Sequence, residues 1–69
     1  MATLKVKKYE YTKVIQQSYG QGWEDNSEYP ANSQGNAIDA ETKDLIKHDL
    51  KEYKLTGYAT RLIFRKKLL

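Results

Sequence analysis

Tyr58-Ala59-Thr60-Arg61-Leu62-Ile63-Phe64-Arg65-Lys66-Lys67 is a β-type run that leaves a helix and ends in a basic tail. β-Branched and aromatic residues favour the pleated, half-buried surface of a strand. Alternation places Tyr58, Thr60, Leu62 and Phe64 on one face, and Ala59, Arg61, Ile63, Arg65 and Lys67 on the other. The segment before it, Ala40 to Lys54, has helical periodicity. Thr42, Leu45, Ile46, Asp49, Leu50 and Tyr53 fall on one arc at 100° per residue, and charged side chains fill most of the rest. Asp39 suits the N-cap, Glu41 suits the positive end of the helix dipole, and Gly57 supplies a stop. A helix therefore packs on the sheet that contains the 58–67 strand.

Residues 4–19 read as extended. Tyr9, Tyr11, Ile15 and Tyr19 share one parity, interrupted by Lys13 and Gln17, while Val6 and Val14 lie on the other. Leu4 and Val6 conflict in parity with Tyr9 and Tyr11, which predicts a bulge near Lys7-Lys8 or a loose arm over residues 1–7. Gly20-Gln21-Gly22 is a hairpin turn signal. Its resemblance to a phosphate loop is superficial, because no helix follows. Trp23 to Tyr29 forms the next strand, with Trp23, Asp25, Ser27 and Tyr29 on one face and Glu24, Asn26 and Glu28 on the other. Pro30 ends it, and residues 30–38 read as a polar loop. The expected fold is α+β: a ββαβ two-layer domain over residues 1–69. Its three-stranded antiparallel sheet has the order 2-1-3, with one amphipathic helix on one face. Most aromatics (Tyr9, Tyr11, Tyr19, Trp23, Tyr29 and Phe64) are assigned to the helix side. Val14 and Ile63 go to the second face, among Gln16, Arg61 and Arg65.

The chain has 69 residues, no cysteine and a formal charge of +3. A domain this small buries only about 60% of its unfolded surface, so stability is marginal without a staple or a partner. Missing cysteine removes thiol chemistry and disulfides. The charge is segregated: Glu24, Asp25 and Glu28 occur without a base, and Arg61, Arg65, Lys66 and Lys67 without an acid. No apolar run approaches the roughly 20 residues of a membrane span, and Met1 to Lys5 lacks an apolar signal core. The expected location is the cytoplasm, without membrane contact.

Few residues can carry chemistry. Asp49 sits inside the apolar arc, where a carboxylate needs a partner; the expectation is a pair with Arg61 or Lys13, or else a position at the rim of the arc. Asp44, His48 and Glu52 share a helical face but pair more naturally with neighbouring lysines than with a metal. Glu24, Asp25 and Glu28 are split by strand alternation, which weakens a cation site there. One histidine and no cysteine leave no nucleophile constellation. The expectation is a non-catalytic protein with no cofactor and no metal.

Two binding surfaces remain. Val14, Gln16 and Ile63, on the face away from the helix, form a candidate protein interface for a partner or a second copy of the chain. Arg61, Arg65, Lys66 and Lys67 form a candidate set of phosphate contacts, the alternative being nucleic-acid binding.

Lys13-Val14-Ile15-Gln16-Gln17, Tyr19-Gly20-Gln21-Gly22-Trp23-Glu24-Asp25, Ser27-Glu28-Tyr29, Lys47-His48-Asp49-Leu50-Lys51-Glu52-Tyr53 and Thr56-Gly57-Tyr58 resemble a group of small phage-encoded proteins. These belong to microvirus-type single-stranded-DNA phages and their metagenomic relatives. The resemblance runs from about Tyr11 to Arg65. It implies a phage accessory protein made in the cytoplasm of a bacterial host and acting by binding, and it implies no activity or site residues. The leading expectation is binding to a protein, as a host-factor inhibitor or a self-assembling module.

Overall fold

The strand with the most buried residues takes the centre of the sheet. A computed structural model describes residues 9–69, and in it β1 (Tyr9–Ser18) lies between β2 (Trp23–Pro30) and β3 (Ala59–Leu68). Both neighbours run antiparallel to β1. The expected order and ββαβ arrangement are those observed. The expected irregularity near Lys7-Lys8 and the arm over 1–7 lie outside the described residues. Gly20 and Gly22 take φ of 97° and 99° in the β1–β2 turn, a region open to glycine at no steric cost.

The single helix, α1 (Ala40–Lys54), covers one face. Asp39 caps it by accepting from the Thr42 backbone N–H at 2.7 Å, which satisfies one of the orphan donors of the first turn. The core is small: Ile15, Tyr29 and Ile46 are buried, with Ala37, Leu50, Tyr53 and Leu62 packed around them. Each such side chain contributes roughly 1.5–3 kcal/mol when fully buried. Leu45 departs from the predicted arc: it is 50% exposed, because the helix rests on the sheet through Ile46, Leu50 and Tyr53. No described helix is long and apolar enough to cross a membrane.

The residues after Pro30 are more ordered than a polar loop suggests. Ala31 and Ala37 form a bridge, and the Asn32 side-chain oxygen accepts from the Gln34 and Asn36 backbone N–H groups at 3.0 Å each. The turn folds back onto β3. A Cβ added at Gly35 would lie 3.7 Å from the Phe64 ring.

Gln17, one of the two polar interruptions of the β1 core parity, is 2% exposed. Its Nε2 donates to Tyr53 O at 2.9 Å, Thr56 Oγ1 at 2.9 Å and Thr60 Oγ1 at 3.2 Å. Its Oε1 accepts from Tyr19 OH and from Asn26 Nδ2, both at 2.8 Å. One side chain thus ties the end of α1 to all three strands.

Asn26 is an extra residue in β2. Ile15 pairs with Ser27 and Gln16 with Asp25, so the register slips by one at Asn26. A bulge of this kind flips strand parity on one side of the insertion. Asn26 and Ser27 both bond to groups on the helix side, whereas Asp25 and Trp23 turn to the other face. This corrects the predicted helix-side placement of Trp23 and Asp25, and it brings Asp25 onto the same face as Glu28.

Replacing Gln17 with Leu keeps the volume and removes the shared acceptor. Asn26 and Tyr19 lose a buried partner, a cost of about 1–3 kcal/mol. Urea unfolding followed by far-ultraviolet circular dichroism will show a lower midpoint, and Trp23 fluorescence will change in the folded baseline as the bulge loosens.

Candidate functional site

The face without a helix is covered by side chains that cross the central strand. β2 and β3 flank β1 and lie roughly 10 Å apart, so any contact between their side chains on this face passes over β1. Arg65 makes a two-pronged contact with Asp25, donating from Nη1 to Oδ2 and from Nη2 to Oδ1 at 3.1 Å. Arg65 pairs in register with Thr12 and Asp25 with Gln16; the residue between them on that face is Val14. Lys67 Nζ donates to Glu28 at 3.0 Å, and Thr12 Oγ1 donates to the same carboxylate at 3.3 Å. Arg61 places its guanidinium 4.2 Å from the centre of the Trp23 ring. Its Nε donates to Gln16 Oε1 at 2.8 Å, and Gln16 Nε2 donates on to Asp25 at 2.7 Å. Three bridges therefore run from β3 to β2, above Thr12, Val14 and Gln16.

This layer changes the meaning of both candidate surfaces. Val14 is 0% exposed and Gln16 6% exposed. The sequence places them on an uncovered face, but the bridging side chains cover them. Of the candidate protein interface, Ile63 alone is only half-buried. Among the candidate phosphate contacts, Arg65 and Lys67 have carboxylate partners and Arg61 is held by Gln16 and Trp23. Lys66 points to the helix side, with its ammonium 4.0 Å from the Tyr9 ring centre. Sequence alternation gives the positions on β3. It gives no sign of their partners, because those depend on the Asn26 bulge.

Asp49 also has a different partner from the expected Arg61 or Lys13. It is half-buried and accepts from Tyr29 OH at 2.6 Å, while Arg61 lies on the opposite face. Burial pushes the Tyr29 phenol up to about 12, and its hydrogen bond to the Asp49 carboxylate adds to the shift. Among the described residues, no group of three His, Asp or Glu side chains is placed to hold a metal ion. Every buried side-chain nitrogen or oxygen among them has a partner.

A second feature was not visible in the sequence. A groove of about 430 Å³ lies between α1 and the sheet, lined by Lys13, Asn36, Ala37, Lys43, Ile46, Lys47, Leu50 and Leu62. Lysines from β1 and α1 rim an aliphatic floor, and among the described residues no carboxylate lines it. The only sequence signal was Lys13, a cation on the core parity of β1. Next to the groove, Phe64 is 43% exposed and stacks parallel to Tyr11 with ring centres 5.8 Å apart.

In comparison with known proteins, no family model, no curated protein and no solved structure matches this chain.

The bridge over Val14 has a pH signature. Hydrogen bonds from Arg65, and then from Gln16, hold the Asp25 carboxyl down at about 2 from an ordinary 3.8. A depressed folded value stabilises the native state above the unfolded value and loses that contribution as pH falls through the folded one. The Asp25 contribution is therefore complete above pH 3.8 and fades toward pH 2. Asp25→Asn will flatten this part of the acid-unfolding curve, read by circular dichroism. Superimposable acid limbs for the two proteins would mean that the bridge does not persist in solution. Tyr29 acts at the other extreme: its raised value stabilises the fold below pH 10 and is lost as pH rises through about 12. Tyr29→Phe will remove that alkaline loss.

Proposed function

We propose that this chain is a non-catalytic binding module that takes a protein partner by strand addition to the free edge of β3. The setting we propose is that of the phage proteins it resembles: an accessory protein in the cytoplasm of a bacterial host. The observation that carries the reading is the edge itself. β3 pairs with β1 through ten consecutive register positions without a slip, from Ala59 to Leu68. Among the described residues no other strand pairs with its outer side. An exposed row of backbone donors and acceptors is a template for another strand.

The two edges of the sheet differ in protection. β2 carries a bulge, three carboxylates and Pro30, all devices that discourage strand addition. β3 has no bulge and no proline. Its ionisable side chains are all cations; Arg65 and Lys67 are engaged by Asp25 and Glu28, and Arg61 and Lys66, without carboxylate partners, favour a partner strand rich in Asp and Glu. Two copies of β3 paired antiparallel about a two-fold axis bring cations against cations, so self-pairing through this edge is opposed. Half-buried Ile63 on one face and exposed Leu68 on the other offer apolar contact to each face of an added strand.

The test uses two synthetic peptides that alternate Val with Glu or Val with Lys, and amide hydrogen exchange as the readout. The acidic peptide is expected to bind and to slow the β3 amides that point away from β1. Protection falling on β2 or α1 instead, or equal protection by the basic peptide, would overturn the reading.

A further inference from the structure

We propose that the groove between α1 and the sheet binds single-stranded nucleic acid, with Lys13, Lys43 and Lys47 contacting phosphates and Phe64 stacking a base. The site is separate from the outer edge of β3 and does not depend on strand addition there.

The first argument is the distribution of free charge. The bridges on the helix-free face occupy Arg65 and Lys67 with Asp25 and Glu28. Among the described residues, Lys13, Lys43, Lys47 and Lys66 have no carboxylate within 4.0 Å. Lys43 and Lys47 are four residues apart on α1 and so are neighbours on one helical face. Lys13 reaches the same groove from β1. Three cations thus converge on a concavity without a carboxylate in its lining, which calls for a polyanion.

The second argument is the chemistry of the floor. Ile46, Leu50, Leu62 and Ala37 form an apolar surface between the lysines, and a volume near 430 Å³ falls in the usual range for ligand clefts. Phe64 is the register partner of Lys13 and shares a strand face with Leu62. Its ring lies against the Gly35 turn and parallel to that of Tyr11, and the residue remains 43% exposed beside the groove. Lys66 and Tyr9 continue the same pattern of cation and ring along the helix-side face. A positive groove flanked by exposed aromatic rings is the general arrangement for binding unpaired bases. An acidic peptide would satisfy the lysines but has no use for the rings. A duplex keeps its bases stacked inside and cannot lay one on Phe64. The combination therefore selects single strands.

The experiment is fluorescence anisotropy of a labelled twelve-nucleotide single strand, its duplex and an oligoglutamate of equal charge. Three to four phosphate contacts give a slope of about −2 to −3 for log affinity against log salt, or a roughly twenty- to fiftyfold loss from 50 to 200 mM. Lys43→Gln with Lys47→Gln should reduce that slope by about 1.4. The control pair Lys51→Gln with Lys54→Gln removes the same charge from exposed positions outside the groove and should leave the slope nearly unchanged. Phe64→Leu keeps an apolar side chain and should weaken binding roughly five- to hundredfold through lost stacking. Trp23 lies on the opposite face, so its fluorescence should be little quenched. The proposal is overturned if the duplex or the oligoglutamate binds as tightly as the single strand, or if the two lysine pairs have equal effects. Absence of binding at 50 mM salt by folded protein, or strong Trp23 quenching abolished by Arg61→Gln, overturns it as well.

Discussion

The Arg65–Asp25 contact over Val14 allows a sheet with one helix to have two closed faces. A two-layer domain leaves half of its sheet facing water, and among the described residues no further element covers that face. Here long side chains of β3 lie across the central strand and reach groups on β2. Their aliphatic stems and planar heads cover Thr12, Val14 and Gln16 while their charges stay at the surface. Exposed ion pairs each contribute little, about 0–1 kcal/mol. Their larger effect is to keep water from an apolar residue that the fold would otherwise expose.

This cover depends on a polar residue on the other side of the sheet. Gln17 accepts from Asn26, and Asn26 is the inserted residue of the β2 bulge. Without the insertion, Trp23 and Asp25 would share a face with Tyr29, and Glu24 and Asn26 would lie with Glu28 on the other. The buried amide, the bulge and the bridges thus form one chain of dependence, from the helix end through the central strand to the second face. A fully satisfied polar network of this kind specifies a single arrangement, since any other leaves buried donors without acceptors.

The same economy of charge shapes the surface. Carboxylates on β2 hold Arg65 and Lys67, so the residues that looked most basic in the sequence are tied into the fold. Among the described cations without a carboxylate partner, Lys13, Lys43 and Lys47 line the groove on the helix side, and Lys66 lies over the Tyr9 ring. Two surface features follow from separate physical causes: a strand edge left unpaired among the described residues by the strand order, and a cationic groove made by the way α1 sits over β1 and β3.

The sequence by itself determined the elements and their order. The helical arc from Ala40 to Lys54, the cap at Asp39, the Gly20–Gly22 turn and the β-rich 58–67 run are local signals, set by periodicity and turn chemistry within a few residues. Pairing β3 beside β1 followed from the simplest antiparallel arrangement. Only the tertiary structure decided which side chains meet. One inserted residue reverses strand parity, and nothing local in Glu24-Asp25-Asn26-Ser27 marks where the insertion falls; it is fixed by the Gln17 amide, nine positions away from Asn26. The partner of Asp49 is a tyrosine from β2 and not a strand cation, because Tyr29 brings its hydroxyl within 2.6 Å on the helix side while Arg61 is held on the other face. The exposure of Val14, and the role of Lys13 in a groove, depended on side chains distant in sequence, because burial belongs to the assembled faces and not to any one strand.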